Sequence, residues 1–182
     1  MTGAPIIRLS PVMQKFILHW GEMGTRWGVN RTVAQVHALL FLSPKPLNAE
    51  EIAQTLSVAR SNVSTSLREL QSWGVVKVVH MLGDRRDHFE SMKDVWEMFQ
   101  LILEERKRRE IDPTLAILRG CVAELAPPPR GGPGEAYTKQ RLQEMLDFFE
   151  TVTSLYQEVH RMPAGSMRQM VRWRGKVRKL LG

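Results

Sequence analysis

Cysteine is nearly absent from this chain. One thiol, Cys121, in 182 residues excludes an internal disulfide framework and a zinc site built from cysteines. So little cysteine use fits a reducing cytoplasm. Long apolar runs are missing too. The longest clear one, Ala38 to Leu42, falls far short of the ~18–20 residues of a membrane helix. The opening MTGAPIIRLS has no basic segment followed by an apolar one, so no signal peptide is expected. Gly (13) and Pro (10) stand near ordinary usage, which excludes collagen-like and low-complexity chains.

Signatures of catalysis are also lacking. There is no phosphate-cradling glycine loop, no strained serine elbow and no HExxH. The five histidines, His19, His37, His80, His88 and His160, fall at no tight metal spacing and read as surface or wing residues. Cys121 lies in an apolar helical stretch and reads as a buried, inert thiol. No enzyme activity, metal or cofactor is expected.

Acidic charge is the scarcer sign, with 26 Lys+Arg against 19 Asp+Glu and a net charge of +7. The excess is unevenly placed. Residues 1–91 hold 10 basic and 7 acidic side chains, residues 92–165 hold 10 and 12, and residues 166–182 hold 6 and none. Polyanions would therefore meet the two ends, while the middle faces water or another subunit.

What is present is mostly helical periodicity. Ser10-Pro11 reads as a cap and first helical residue, followed by Met13, Phe16, Ile17, Trp20, Met23 and Trp27 at helical spacing. Gly21 and Gly24 either weaken that helix or let another backbone come close. Asn30 caps a second helix with Val33, Val36, Leu39 and Leu40 on one face. Asn48 and Glu51 are spaced as a capping box, and Leu47 and Ile52 as a hydrophobic staple. The short helix they start has Ile52, Ala53 and Leu56 inward. After Ser57-Val58 another begins, with Val63, Leu67 and Leu70 inward and Gly74 as a left-handed C-terminal cap.

Val75 to Val79, a turn at Gly83-Asp84 and His88 to Ser91 read as a β-hairpin. The helical period returns at Lys93 through Val95, Trp96, Phe99, Ile102 and Leu103, ending in Glu104/Arg108 and Glu105/Arg109 pairs. Asp112-Pro113 reads as the start of a new helix. Residues 127–134 are the one clear linker, within a boundary near 126–134. A long helix from Glu135 to Arg161 follows. Its apolar positions Leu142, Met145, Phe149, Val152, Tyr156 and Val159 step by 3 and 4, either a dimer seam or packing within one subunit. A last basic helix carries Arg168, Arg172, Arg174, Lys176, Arg178 and Lys179. It is a solvated face, a phosphate contact or a membrane-surface contact.

Two short helices, a tight turn and a hairpin make a winged helix. The fold class is mainly α with a small β-hairpin wing: a winged helix-turn-helix plus a helical dimerisation region. The expected domains are an N-terminal helix over residues 1–29, the winged helix over 30–91 and a dimerisation and effector region over 92–182. The second helix of the pair shows Arg60, Ser61, Asn62, Ser64, Thr65 and Arg68 outward. Such side chains can exchange hydrogen bonds with base edges and phosphates in a major groove. The hairpin tip, with Asp84, Arg85 and Arg86, carries arginines suited to a narrow minor groove. Double-stranded DNA is the expected partner. The alternative is a winged-helix module that docks to a protein.

From Gly24 to about Phe99 the chain resembles the MarR-type winged-helix regulators, in the GbsR-like branch. The residues that carry the likeness are GTRWGVNRTVAQVHALLFLS, ARSNVSTSLRELQSWGVVK and, in the wing, GDRRDHFE. The resemblance implies a cytoplasmic transcriptional repressor, a homodimer held by helices outside the winged helix, on a pseudo-palindromic operator. It implies that Asp84 steadies the wing and Arg86 contacts DNA. One departure is Ala59, where relatives commonly have a capping serine; Ser57 or Ser61 would have to cap instead. Trp20, Trp27, Trp96 and Phe99 are either core or an effector pocket. Aromatic faces bind quaternary ammonium groups, and the resembled branch implies a choline- or betaine-like effector.

Overall fold

The computed structural model describes residues 8–125, 133–161 and 165–166. The expected linker is therefore largely outside the described residues, as are the basic C-terminal stretch and the first seven positions. The chain divides into two compact units, Met1–Ile102 and Leu103–Gly182.

In the first unit, α1 (Pro11–Arg26) starts at Ser10, whose hydroxyl accepts from the Met13 N–H at 3.3 Å. Helix α2 (Arg31–Leu42) starts at Asn30, which accepts from the Thr32 N–H at 2.8 Å. The two helices touch through the glycines. A Cβ added at Gly24 would lie 2.6 Å from the Ala34 Cβ, and one at Gly21 would lie 2.8 Å from the Gln35 Cγ. Close approach, rather than weakening, is what these glycines provide. Trp27 does not continue the apolar face of α1; it caps the helix and is exposed. Helix α2 is the centre of the core, with Val33, Val36, Leu39 and Leu40 all but sealed from solvent.

A short strand, β1 (Leu47–Asn48), leads into α3 (Ala49–Leu56). The capping box is complete. The Asn48 side-chain Oδ1 accepts from the Glu50 and Glu51 N–H groups at 3.0 Å each, and the Glu51 carboxylate accepts from the Asn48 N–H at 2.9 Å. Leu47 and Ile52 are fully buried on either side of it. Helix α4 (Arg60–Ser72) follows and ends at Trp73 and left-handed Gly74, φ +74°. The hairpin is longer than its β-branched core indicates: β2 is Val76–Met81 and β3 is Asp84–Ser91. Strand β1, which local sequence does not announce, adds a third antiparallel strand in the order β1-β3-β2. Leu47 and Val78 flank Phe89, and Asn48 and Val79 flank His88.

Asn48 thus holds the start of α3 and an edge of the sheet. Truncation leaves buried N–H groups without an acceptor. Asn48→Ala is expected to cost about 1–3 kcal/mol, read as a lower urea midpoint at unchanged m-value. A midpoint within error of the wild type would show that water replaces the side chain at no cost.

Helix α5 (Val95–Arg106) starts at Asp94, whose carboxylate accepts from the Trp96 and Glu97 N–H groups at 2.8 and 3.2 Å. Lys93, expected to open this helix, does something else. Its ammonium donates to the carbonyls of Leu40, Phe41 and Ser43 at 2.8, 2.8 and 2.9 Å, closing the C-terminus of α2. Partial burial lowers its pKa, against the pull of Glu90.

The second unit corrects two sequence expectations and qualifies a third. Asp112-Pro113 does open α6 (Asp112–Glu124), as expected, but with no break in the helical path and no side-chain cap. A wide π turn, Lys107–Ile111, carries the helical path into α6, and the Asp112 N–H donates to the Lys107 carbonyl. Pro113 has no N–H and its ring crowds the carbonyl four residues back; widening the preceding turn relieves that crowding. The wider turn also changes the charge pairs: Arg108 pairs with Glu105 at 2.6 Å, and Glu104 accepts from the Tyr156 hydroxyl at 2.6 Å. Cys121 is half-buried rather than sealed.

Helix α7 (Pro133–Arg161) packs on α6 around Leu115, Leu118 and Leu146, with Leu142 and Phe149 at the edge. Its 3–4 stepping serves two faces. Leu142, Leu146, Phe149 and Tyr156 face inward, and burial with the Glu104 bond raises the Tyr156 pKa. Met145, Phe148, Val152 and Leu155 form a second stripe, about 100° round the helix, and all four are exposed. Of the expected seam, Met145 and Val152 lie on this open stripe, while Leu142, Phe149 and Tyr156 lie inside; the Val159 side chain is outside the described residues.

Candidate nucleic-acid interface

Helix α4 is amphipathic with a period that leaves no ambiguity. Val63, Ser66, Leu67 and Leu70 are buried, whereas Arg60, Ser61, Asn62, Ser64, Thr65 and Arg68 are all exposed. Neither Ser57 nor Ser61 caps it. Ser57 ends α3 in the left-handed region at φ +54°, and Ala59 stands at the cap position with no side chain to accept a bond. No side chain takes the first-turn N–H groups of α4; the Asn62 N–H turns back to the Ala59 carbonyl at 3.0 Å. Val58 fills the turn, partly buried against the core, with its N–H on the Ala53 carbonyl at 3.0 Å.

The wing lies beside this helix. An open cleft of about 350 Å³ is bordered by Arg60, Ser64, Arg68 and Gln71 of α4 and by Arg86, Asp87 and Phe89 of β3. Glu50 and Asn48 close one end. Arg86 is held rather than free. Its Nε and Nη2 donate to the Asp84 carboxylate at 2.9 and 2.6 Å, and the same carboxylate accepts from its backbone N–H at 3.0 Å. Those hydrogen bonds hold the Asp84 carboxyl far below the usual carboxylate range. Glu50 stands 3.7 Å from the other guanidinium nitrogen. The His88 ring sits below, 3.0 Å from the Arg86 carbonyl and 3.6 Å from Asp84. Arg85 is exposed and has no carboxylate partner among the described residues. Both arginines lie on β3, and the tip itself is Leu82-Gly83. Glu50 is the interface residue that sequence reasoning does not single out. An acidic residue in the first turn of a helix is ordinary, and only the folded chain brings it to Arg86.

The four aromatic residues considered as an effector pocket are not gathered into one. Trp27 and Phe99 are exposed, so neither is core, and Trp96 is half-buried near the start of α5. Trp20 alone lines a cavity of about 190 Å³, with Phe16, His37, Ala38, Phe41, Val95 and Met98. His37, expected at the surface, is 5% exposed, and its Nε2 has no hydrogen-bond partner. Burial first, and the Lys93 ammonium second, push this imidazole down to about 4.

A helix pair with an exposed polar second helix and a hairpin braced against it defines a winged helix-turn-helix protein. Residues 27–87 match the MarR family. Two curated proteins of Bacillus subtilis (strain 168) are similar over 99 residues at 22% identity: the putative HTH-type transcriptional regulator YvaV and the HTH-type transcriptional repressor GbsR. The aligned stretch is 54% of this chain and 56% and 54% of those two. The chain thus spans about half the length of the curated relatives it matches. A crystal structure of a transcriptional regulator shares the fold, with a TM-score of 0.65 at 21% identity over 87% of this chain and 99% of that one. The winged-helix part of this chain is thus similar to the MarR family, and the chain is similar to GbsR over about half its length. No helix among the described residues is long and apolar enough to cross a membrane.

Proposed function

We propose that this protein is a sequence-specific DNA-binding transcriptional regulator, a cytoplasmic homodimeric repressor that places one α4 in the major groove of each half of a pseudo-palindromic operator. The observation that carries this reading is the cleft in which Arg60, Ser64 and Arg68 of α4 and Arg86 of the wing face the same open space. Ser61, Asn62, Ser64, Thr65 and Arg68 read bases and phosphates. Asp84 orients Arg86, and Arg85 is the unencumbered cation of the wing. Met145, Phe148, Val152 and Leu155 supply the subunit contact.

Fluorescence anisotropy with the protein's own upstream intergenic DNA, against a scrambled sequence at several salt concentrations, tests this. Specific binding is expected to weaken by about 1–3 kcal/mol in Arg86→Ala. Arg85→Ala should reduce the slope of log affinity against log salt by about one. Equal, purely salt-driven binding to both sequences would instead favour the protein-docking module.

The cavity beside Trp20 is the effector site we favour. Three aromatic rings suit a choline- or betaine-like group. The Lys93 ammonium, however, already stands 5.8 Å over the Phe41 ring, and no carboxylate lines the space. A titration of tryptophan fluorescence with choline and with betaine decides this, and no saturable change with either removes that ligand class.

A further inference from the structure

The wing ends in an unusual surface. Between the paired residues Met81 and Asp84 the turn is only Leu82-Gly83, with Gly83 at φ +84°. Leu82 is fully exposed and Met81 nearly half exposed. A two-residue turn leaves the leucine no loop into which it can fold. Turn positions usually go to Gly, Asn, Asp or Ser, so a large apolar side chain at the apex stands out.

The hairpin that carries it is braced at its base. Arg86 is tied to Asp84 and stands 3.7 Å from Glu50 of α3, and β3 is paired on both sides at His88 and Phe89; nearer the tip the β2–β3 register shifts between Val79 and Met81, and Met81 pairs with Asp84. The apex is therefore presented at the end of a hairpin whose base is anchored on the helix-turn-helix. Its base borders the cleft shared with α4, so α4 in a major groove carries the tip over the neighbouring backbone and minor groove. Arg85, exposed and without a carboxylate partner among the described residues, stands next to the tip as a phosphate counter-charge.

An apolar side chain presented at a minor groove is the tool that unstacks a base step. Leucine and methionine both serve in this way, and the duplex kinks toward the major groove. We propose that Leu82, backed by Met81, is a wedge that inserts at a base-pair step flanking each half-site and kinks the operator. Pyrimidine–purine steps unstack most easily. The wedge therefore gives the protein a preference for TA or CA steps at a position where it makes no base hydrogen bond. This inference rests on the DNA-binding reading.

The test uses the full chain and the operator fragment defined by anisotropy, with bend angle read from end-to-end fluorescence energy transfer. The wild type should bend the fragment by about 20° or more. Leu82→Ser, a change at a fully exposed position that does not touch the core, should straighten it and abolish the step preference at the wing position. Leu82→Met should retain both. Arg68→Ala should weaken binding while leaving the bend of the complexes that form. A straight wild-type complex, or an unchanged bend in Leu82→Ser, overturns the wedge and leaves the DNA-binding reading in place. A wild type that fails to discriminate operator from scrambled DNA overturns both.

Discussion

If the protein is the operator-binding dimer proposed above, glutamate at both Phe148 and Leu155 is expected to leave a monomer and to weaken operator binding by about 100-fold or more. The two side chains are 62% and 65% exposed on α7, on the stripe that also holds Met145 and Val152. Residues three and four apart fall on one face of a helix, so the stripe is continuous over three turns. Four exposed large apolar side chains on one face are the kind of surface that protein contacts use. A carboxylate buried at the centre of such a contact, with no cation opposite, costs more than the contact gains. Loss of the second half-site then removes the effective-concentration advantage of bivalent binding, worth roughly 10²–10⁴. The inner face, with Leu142, Leu146 and Phe149, is untouched, so the variant should remain folded. Light scattering gives the mass and anisotropy gives the affinity. A double variant that keeps the dimer mass would place the subunit contact elsewhere.

Acidification from pH 7 to pH 5 should remove about 2 kcal/mol of stability through His37 alone. The folded imidazole titrates at about 4, against 6.5 when unfolded. A depressed folded pKa means that the unfolded chain takes up the proton first. The stability is therefore complete above pH 6.5 and is lost as the pH falls toward 4. Each pH step of one between those two values is worth about 1.4 kcal/mol, and most of the interval lies above pH 5. Asp84 acts in a different window, because its folded value lies below the ordinary 3.8 and its contribution is lost only below that pH. Urea melts at pH 7, 6 and 5 on wild type and His37→Phe separate the cases. The variant should be nearly flat over this range. A slope as steep as that of the wild type would assign the acid sensitivity to another group.

The parts of the fold that are legible in the sequence are those decided within a few residues. Asn48 and Glu51 form a box across three positions, and the caps at Ser10 and Asn30 are equally local. The outward set on α4 follows from one helical period, and each of its six members is exposed. What stays hidden depends on distant partners. Strand β1 is two residues long and exists because Leu47 and Asn48 meet β3 some forty residues later. Trp27 and Phe99 look like core by composition, yet nothing packs over them enough to bury them. His37 sits at a polar-looking point of α2 but is enclosed by Trp20 and Phe41 from either side. The two faces of α7 merge into one pattern because 3–4 stepping fits either stripe. For the interface, residue identity is visible, but the Glu50–Arg86–Asp84 bracing and the bare leucine at the apex need the folded hairpin.

With no side chain at Gly21 or Gly24 to act as a spacer, α1 and α2 mesh without backlash. Helix α2 in turn packs directly on α4. At Gly24 the side chain opposite is only the Ala34 methyl, so a displacement of α1 there passes to α2 and on to α4 with little side chain between the first two helices to absorb it. A bulky residue at position 24 would put play into this gear train. On the proposed DNA-binding reading, the variant to look for keeps its grip on DNA and loses any response that travels through the first helix.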